Sequence, residues 1–101
     1  MKTLLKFEAD WCGPCKQVAP VIADVIENYD GDIELKTIDV ENPDNQTLME
    51  EHGVRAVPTF VLKHGDEVIS THKGTINRSD LKQFIDGEID DASIPMSARS
   101  I

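Results

Sequence analysis

Two cysteines, Cys12 and Cys15, are the residues of this sequence best suited to chemistry. They are separated by Gly13-Pro14, a tight and stiff pair, and lie between an expected strand and an expected helix. Sulfur atoms three residues apart in a first helical turn can approach closely enough to form a disulfide. The free N–H groups and the dipole of a helix N-terminus stabilise a thiolate, the form that attacks disulfides. We therefore expect Cys12 to be the nucleophile and Cys15, which is expected to be less exposed, the resolving thiol.

Other uses of a cysteine pair fit the sequence less well. A zinc site needs two further ligands besides the cysteines. The histidines form no close pair in the sequence, and we expect all three on the surface: His52, His64 and His72. The residue after the second cysteine is Lys16, so the pattern for c-type haem attachment does not occur. Two cysteines are too few for an iron–sulfur cluster. We expect no metal or bound cofactor, and the strand–turn–helix setting favours dithiol redox chemistry over an inert, buried pair.

Three residues outside the pair are further candidates. Trp11 precedes the nucleophile and can shield the sulfurs or contact a substrate, with partial core packing as the alternative. Gly74 can let another backbone approach closely, or it can be a plain turn glycine. Lys16 can add a positive field near the thiolate, or it can be a solvated surface residue.

Hydrophobic periodicity predicts alternating strands and helices. Strands are predicted at residues 2–8, 33–40, 57–63 and 67–73. Helices are predicted at residues 13–29, between Pro43 and Gly53 with Leu48 and Met49 buried, and from Asn77 to Gly87. In the second strand the apolar parity changes between Leu35 and Ile38, which indicates a bulge or burial on both faces. The order βαβαββα predicts an α/β fold with a four-stranded mixed sheet, parallel strands across both β-helix-β passages, an antiparallel hairpin, and helices on both faces.

The composition excludes several classes of protein. The 101 residues fit one domain, and 40% of them are hydrophobic. The net charge of −9 disfavours binding to nucleic acid or to an anionic membrane surface. The first apolar run is broken by Lys6 and Glu8, so we expect neither a signal peptide nor a transmembrane span. With the close cysteine pair, this predicts a cytoplasmic protein.

At this point the residues resemble the thioredoxin family. The motif WCGPCK at residues 11–16 matches the active-site sequence of that family, and the segments IDVENP and VPTF and then Gly74 continue the match. The resemblance spans about residues 3–87. Because the sequence begins at what is a central strand in the family, the resemblance implies the minimal form of the thioredoxin fold.

The resemblance implies a protein-disulfide reductase, and we expect this protein to be a monomer. A reductase such as thioredoxin reductase, or small thiols, would regenerate its dithiol. It also implies a cis peptide bond before Pro58, with the backbone of Val57 pairing with the substrate chain. From sequence alone, a trans proline that opens an edge strand is the simpler interpretation. The expected substrate-binding residues are Trp11, Gly13, Pro14, Val57, Pro58 and Gly74.

One departure from the family falls behind the cysteine pair. The family's buried acid, six residues before the first cysteine, is Lys6 here, and Glu8 stands where the family has a tryptophan. A buried ammonium would stabilise a thiolate and make the pair more oxidising, and Glu8 on the same strand face can pair with it. Because lysine is rarely buried, exposure of Lys6 to solvent is the favoured expectation. Lys6, Glu8 and Lys16 are the candidate modulators of the thiol–thiolate balance.

Two other functions stay open at this point. A glutaredoxin-like enzyme that takes electrons from glutathione fits the short fold, but its usual motif is CPYC rather than CGPC. A non-catalytic binding subunit of a larger complex would have no need of the cysteines.

Residues 88–101 lack a periodic apolar face, which predicts a flexible tail after a domain formed by residues 1–87. We expect truncation after Gly87 to change the free energy of unfolding by less than about 1 kcal/mol. Urea unfolding and a disulfide-reduction assay measure the two properties that truncation should preserve. A larger loss of stability would indicate that Ile94 or Met96 docks on the sheet.

Overall fold

A computed structural model describes residues 1–86, which form a four-stranded sheet with helices on both faces. The elements are β1 (Lys2–Glu8), α1 (Gly13–Glu27), β2 (Ile33–Asp39), a 3₁₀ turn (Pro43–Asn45), α2 (Gln46–Glu51), β3 (Thr59–His64), β4 (Glu67–Lys73) and α3 (Arg78–Ile85). The predicted α/β class, the βαβαββα order and the mixed sheet are confirmed. The predicted helix end at Gly87 and the predicted tail lie outside the described residues.

The sheet has the order β2-β1-β3-β4, so β1 and β3 are the central strands. β1 is parallel to β2 and antiparallel to β3, and β3 and β4 form an antiparallel hairpin. The prediction of parallel strands across both β-helix-β passages is therefore wrong for the second passage. With six residues, α2 is about 9 Å long, which is too short to carry the chain back along a strand. β3 begins at the edge of the sheet where β1 and β2 end.

The larger part of the core lies between the sheet and the helices α1 and α3. Apolar residues of α1 recur at helical spacing, and α3 contributes a second apolar stripe. The buried residues of this cluster are Leu4, Val18, Ile22, Val25, Phe60, Leu62, Ile76, Leu81, Phe84 and Ile85. The packing holds α1 firmly against β1, and so it fixes the position of the turn that joins them.

Capping side chains define where the helices begin. Asn77 caps α3 as predicted, since its Oδ1 accepts a hydrogen bond of 2.8 Å from the N–H of Asp80. Asn28 is the C-cap of α1, so that helix ends two residues earlier than predicted.

Among residues 1–86, none of the helices combines the length and the apolar character that a membrane span requires.

β2 contacts both faces of the molecule. Ile33 packs against the α1 and α3 side, whereas Ile38 is buried on the α2 side. The register of β2 with β1 is continuous, so the parity change reflects burial on both faces rather than a bulge. Leu35 is 37% exposed. The register shift in this sheet lies instead between Leu62 and Lys63, in the β3–β4 hairpin.

The face under α2 has a smaller core. Leu48 and Met49 are half-buried rather than buried as predicted, and they pack against a cluster that includes Phe7. At the C-cap of α2, the ring centroid of His52 lies 5.9 Å from that of Phe7. His52 Nε2 is buried and has no hydrogen-bond partner in the described part of the chain. The expectation that His52 is a plain surface residue is therefore wrong.

This burial makes stability depend on pH. Desolvation lowers the pKa of His52 below 6.5, the charge of Lys63 lowers it further, and Glu51 opposes the shift. As the pH falls through the ordinary histidine pKa, the unfolded chain binds a proton that the folded chain does not yet bind, so stability falls. We expect the free energy of unfolding to decrease when the pH is lowered from about 7.5 to about 5.5. In the variant His52→Phe, the same change of pH should decrease the free energy of unfolding by less.

Urea unfolding at both pH values measures the effect. The matched control is His64→Phe, which replaces an exposed histidine and should keep the full wild-type difference. An unchanged pH dependence in His52→Phe would contradict the assignment to His52.

Candidate active site

The cysteine pair lies where the end of β1 leads into α1. Cys12 is the N-cap of α1, with extended backbone angles of φ −86° and ψ 105°. Its Sγ accepts a hydrogen bond of 3.0 Å from the N–H of Cys15. Pro14 lies in the first turn of α1. Backbone N–H groups in that turn have no partner within the helix, so the missing N–H of proline costs no hydrogen bond. Cys12 Sγ thus takes the place of the capping side chain and accepts a hydrogen bond from a backbone N–H that has no partner within the helix.

Cys12 and Cys15 are joined in a disulfide, with Cα atoms 5.3 Å apart. The two residues are only 3% and 2% exposed, so in this form burial does not distinguish them as the sequence predicted. They differ in position, because Cys12 caps the helix and Cys15 lies one turn inside it. Both pack in a small apolar cluster with Ala9, against which Val40 and Val57 are placed.

The rim around the sulfurs is exposed. Gly13 and Pro14 form an exposed turn, and Trp11 is 66% exposed, so the indole is not a core side chain. Trp11 Nε1 donates a hydrogen bond of 2.6 Å to Glu41 Oε2. The rim therefore presents a flat aromatic surface next to the first cysteine.

A second loop reaches the pair from the start of β3. The Val57–Pro58 peptide bond is cis, as the family resemblance implied, and the trans alternative is wrong. Val57 packs against the cysteine cluster, and Pro58 is fully buried. The carbonyl of Pro58 accepts a hydrogen bond of 2.8 Å from the N–H of Gly74, whose φ of +94° is in the region that favours glycine. The structure thus brings these three predicted residues to one edge of the site.

Between these segments lies a mainly apolar cavity of about 160 Å³, lined by Trp11, Val40, Met49 and residues 54–57. Val40, Glu41 and Arg55 were not predicted as site residues. A usable signal existed, since parallel strands end at the same edge of a sheet and Val40 directly follows β2. The N–H of Val40 donates a hydrogen bond of 2.9 Å to the carbonyl of Glu8, which connects the end of β2 to the end of β1.

Lys6 lies buried behind the disulfide, and the favoured expectation of exposure is wrong. Lys6 is 4% exposed and lies on the same face of β1 as Leu4, which packs against α1. Lys6 Nζ donates a hydrogen bond of 3.2 Å to the carbonyl of Cys15 and lies 2.7 Å from Glu8 Oε1. A buried ammonium requires such partners, and here the carboxylate two residues along the strand supplies the opposite charge. Lys16, in contrast, is exposed.

Two further observations concern metal binding and a second cavity. Within residues 1–86, no group of three or more His, Cys, Asp or Glu side chains is placed to hold a metal ion. A larger cavity, of about 440 Å³, lies near the far end of α1 around Tyr29 and Arg78, away from the cysteines.

Comparison with known proteins places this arrangement in a family. The family model named thioredoxin matches residues 1–87. Thioredoxin from Pseudomonas aeruginosa is 35% identical over 86 residues, which cover 85% of this chain and 78% of that protein. Thioredoxin from Haemophilus influenzae is 36% identical over the same length, with the same coverage.

A solved structure of a mutant thioredoxin from Halobacterium salinarum NRC-1 matches with a TM-score of 0.75 at 37% identity. The match covers 86% of this chain and 74% of that one. Sequence, fold and the disulfide at the start of α1 agree, and we conclude that this chain belongs to the thioredoxin family and is a thiol–disulfide oxidoreductase.

Proposed function

We propose that this protein reduces disulfides of other proteins, with Cys12 as the nucleophile and Cys15 as the resolving thiol. The observation that carries the assignment is the hydrogen bond of 3.0 Å from the N–H of Cys15 to Cys12 Sγ. After reduction, the same N–H and the positive end of the helix dipole favour a thiolate on Cys12. Cys15 lies one turn inside the helix and has no such position.

The proposed cycle moves two electrons from the dithiol to the substrate. The Cys12 thiolate attacks one sulfur of a substrate disulfide, the substrate S–S bond breaks, and the other substrate sulfur leaves and takes up a proton. Cys15 then loses its proton and attacks Cys12 Sγ. This step forms the Cys12–Cys15 disulfide and releases the second substrate thiol. A reductant must return two electrons and one proton to restore the Cys12 thiolate and the Cys15 thiol before the next cycle.

We propose that the substrate chain binds across the exposed rim, on Trp11, Gly13 and Pro14, and against the loop at Val57-Pro58. The position of Val57, beside the cysteines and directly before β3, supports pairing of its backbone with an extended substrate segment. Gly74 supports the same role, because a Cβ built there meets no atom within 4 Å. The space next to Gly74 is therefore open to another chain.

The proposed physiological reductant is thioredoxin reductase, with the protein acting as a cytoplasmic monomer. Membership of the thioredoxin family supports the choice of reductant. Sedimentation of the purified protein and fractionation of its host cell test the oligomeric state and the location.

Reduction of a generic protein disulfide tests the function directly. We expect the protein to catalyse it with NADPH and thioredoxin reductase, and to be much slower when glutathione is the reductant. Faster turnover with glutathione would instead support the glutaredoxin-like alternative. Full biological activity in the double variant Cys12→Ser, Cys15→Ser would support a binding subunit.

The roles of the two cysteines can be separated by trapping. Cys15→Ser should accumulate a stable mixed disulfide between Cys12 and the substrate, because the resolving thiol is gone. Cys12→Ser should trap no substrate, although it also keeps one cysteine. Non-reducing electrophoresis followed by mass spectrometry of the linked peptides measures both outcomes, and trapping through Cys15 would reverse the assignment.

A further inference from the structure

The Lys6 ammonium is a buried charge that the proposed cycle does not use. It lies under the first turn of α1, with one N–H directed to the carbonyl of Cys15 at 3.2 Å and another partner, Glu8 Oε1, at 2.7 Å. The side chain of Lys6 is 5% exposed and that of Glu8 is 32% exposed. A positive charge is thus fixed at the main chain of the resolving cysteine, and its counter-charge is nearer to solvent.

The charge acts differently on the two redox states. The disulfide carries no charge, and its reduction by two electrons with one proton yields one thiol and one thiolate. The Lys6 ammonium attracts that thiolate, whereas the Glu8 carboxylate repels it. Both effects are therefore absent from the oxidised protein and present in the reduced one, so they change the balance between the two states.

We propose that the Lys6–Glu8 ion pair sets the reduction potential of the Cys12–Cys15 couple through two opposing charges. The proposal makes Lys6 and Glu8 positioning residues and rests on the proposed dithiol function. Lys6 is the stronger of the two, because it touches the Cys15 main chain directly and is buried, whereas water screens the half-buried carboxylate. The pair thus makes the protein more oxidising than neutral side chains at the same positions would.

The test is the equilibrium of the purified protein with glutathione, in which the protein disulfide and two glutathiones give the dithiol and one glutathione disulfide. We expect Lys6→Met to lower the equilibrium constant for formation of the dithiol about fivefold, which corresponds to about 20 mV. We expect Glu8→Gln to raise it, because glutamine keeps a hydrogen-bond acceptor for Lys6 and removes the negative charge.

Matched controls separate this effect from overall charge and from packing. Lys36→Met and Glu34→Gln make the same charge changes at exposed positions of the neighbouring strand β2 and should leave the constant unchanged. A loss of packing alone would not move the two test variants in opposite directions. If Lys6→Met does not fold, Glu8→Gln decides the question by the direction of its shift.

Two results would overturn the proposal: shifts of Lys6→Met and Glu8→Gln in the same direction, or shifts no larger than those of the controls. Neither result would affect the proposed reductase activity, which the disulfide-reduction assay of the wild-type protein tests by itself. Conversely, the wild-type protein could fail to reduce protein disulfides while Lys6→Met and Glu8→Gln still shift the glutathione equilibrium as expected. That result would contradict the proposed function and leave the role of the ion pair in place.

Discussion

Pairing of β1 with its two neighbours brings together the segments that form the active site. The parallel pairing with β2 places the ends of both strands at one edge of the sheet, where the N–H of Val40 binds the carbonyl of Glu8 at 2.9 Å. The antiparallel pairing with β3 makes that strand begin at the same edge, so Val57 and Pro58 arrive beside the cysteines. A longer α2 that returned β3 as a parallel strand would place this loop at the opposite edge.

Local patterns predicted the parts of the site that depend on local sequence. The cysteine spacing, the helix after it and the turn glycine at residue 74 could be read from residue types and short-range periodicity, and the family motif identified Pro58. The direction of β3 could not be read from element order, because it depends on the length of α2 compared with that of a strand. The burial of Lys6 could not be read from lysine's general preference for water, because it depends on Glu8 and on a carbonyl nine residues away.

Lys6 and Glu8 also illustrate how an ion pair can persist in a small core. Removing an ammonium from water carries a large free-energy cost, and pairing it with a carboxylate offsets much of that cost without making the pair a strong source of stability. The remaining stability of the fold comes from the apolar residues between the sheet and the helices α1 and α3. The ion pair is therefore accommodated in the core without being a main source of the stability of the fold.

The capping of α1 by Cys12 has a consequence for the rate of attack. In most helices a serine, threonine, asparagine or aspartate caps the first turn and takes no part in chemistry. Here the N–H of Cys15 already points at Cys12 Sγ, the sulfur of the proposed nucleophile, and it is held there by the backbone. Solvent and side chains need little rearrangement when the thiolate forms, so the helix supplies a polar environment organised before the reaction begins.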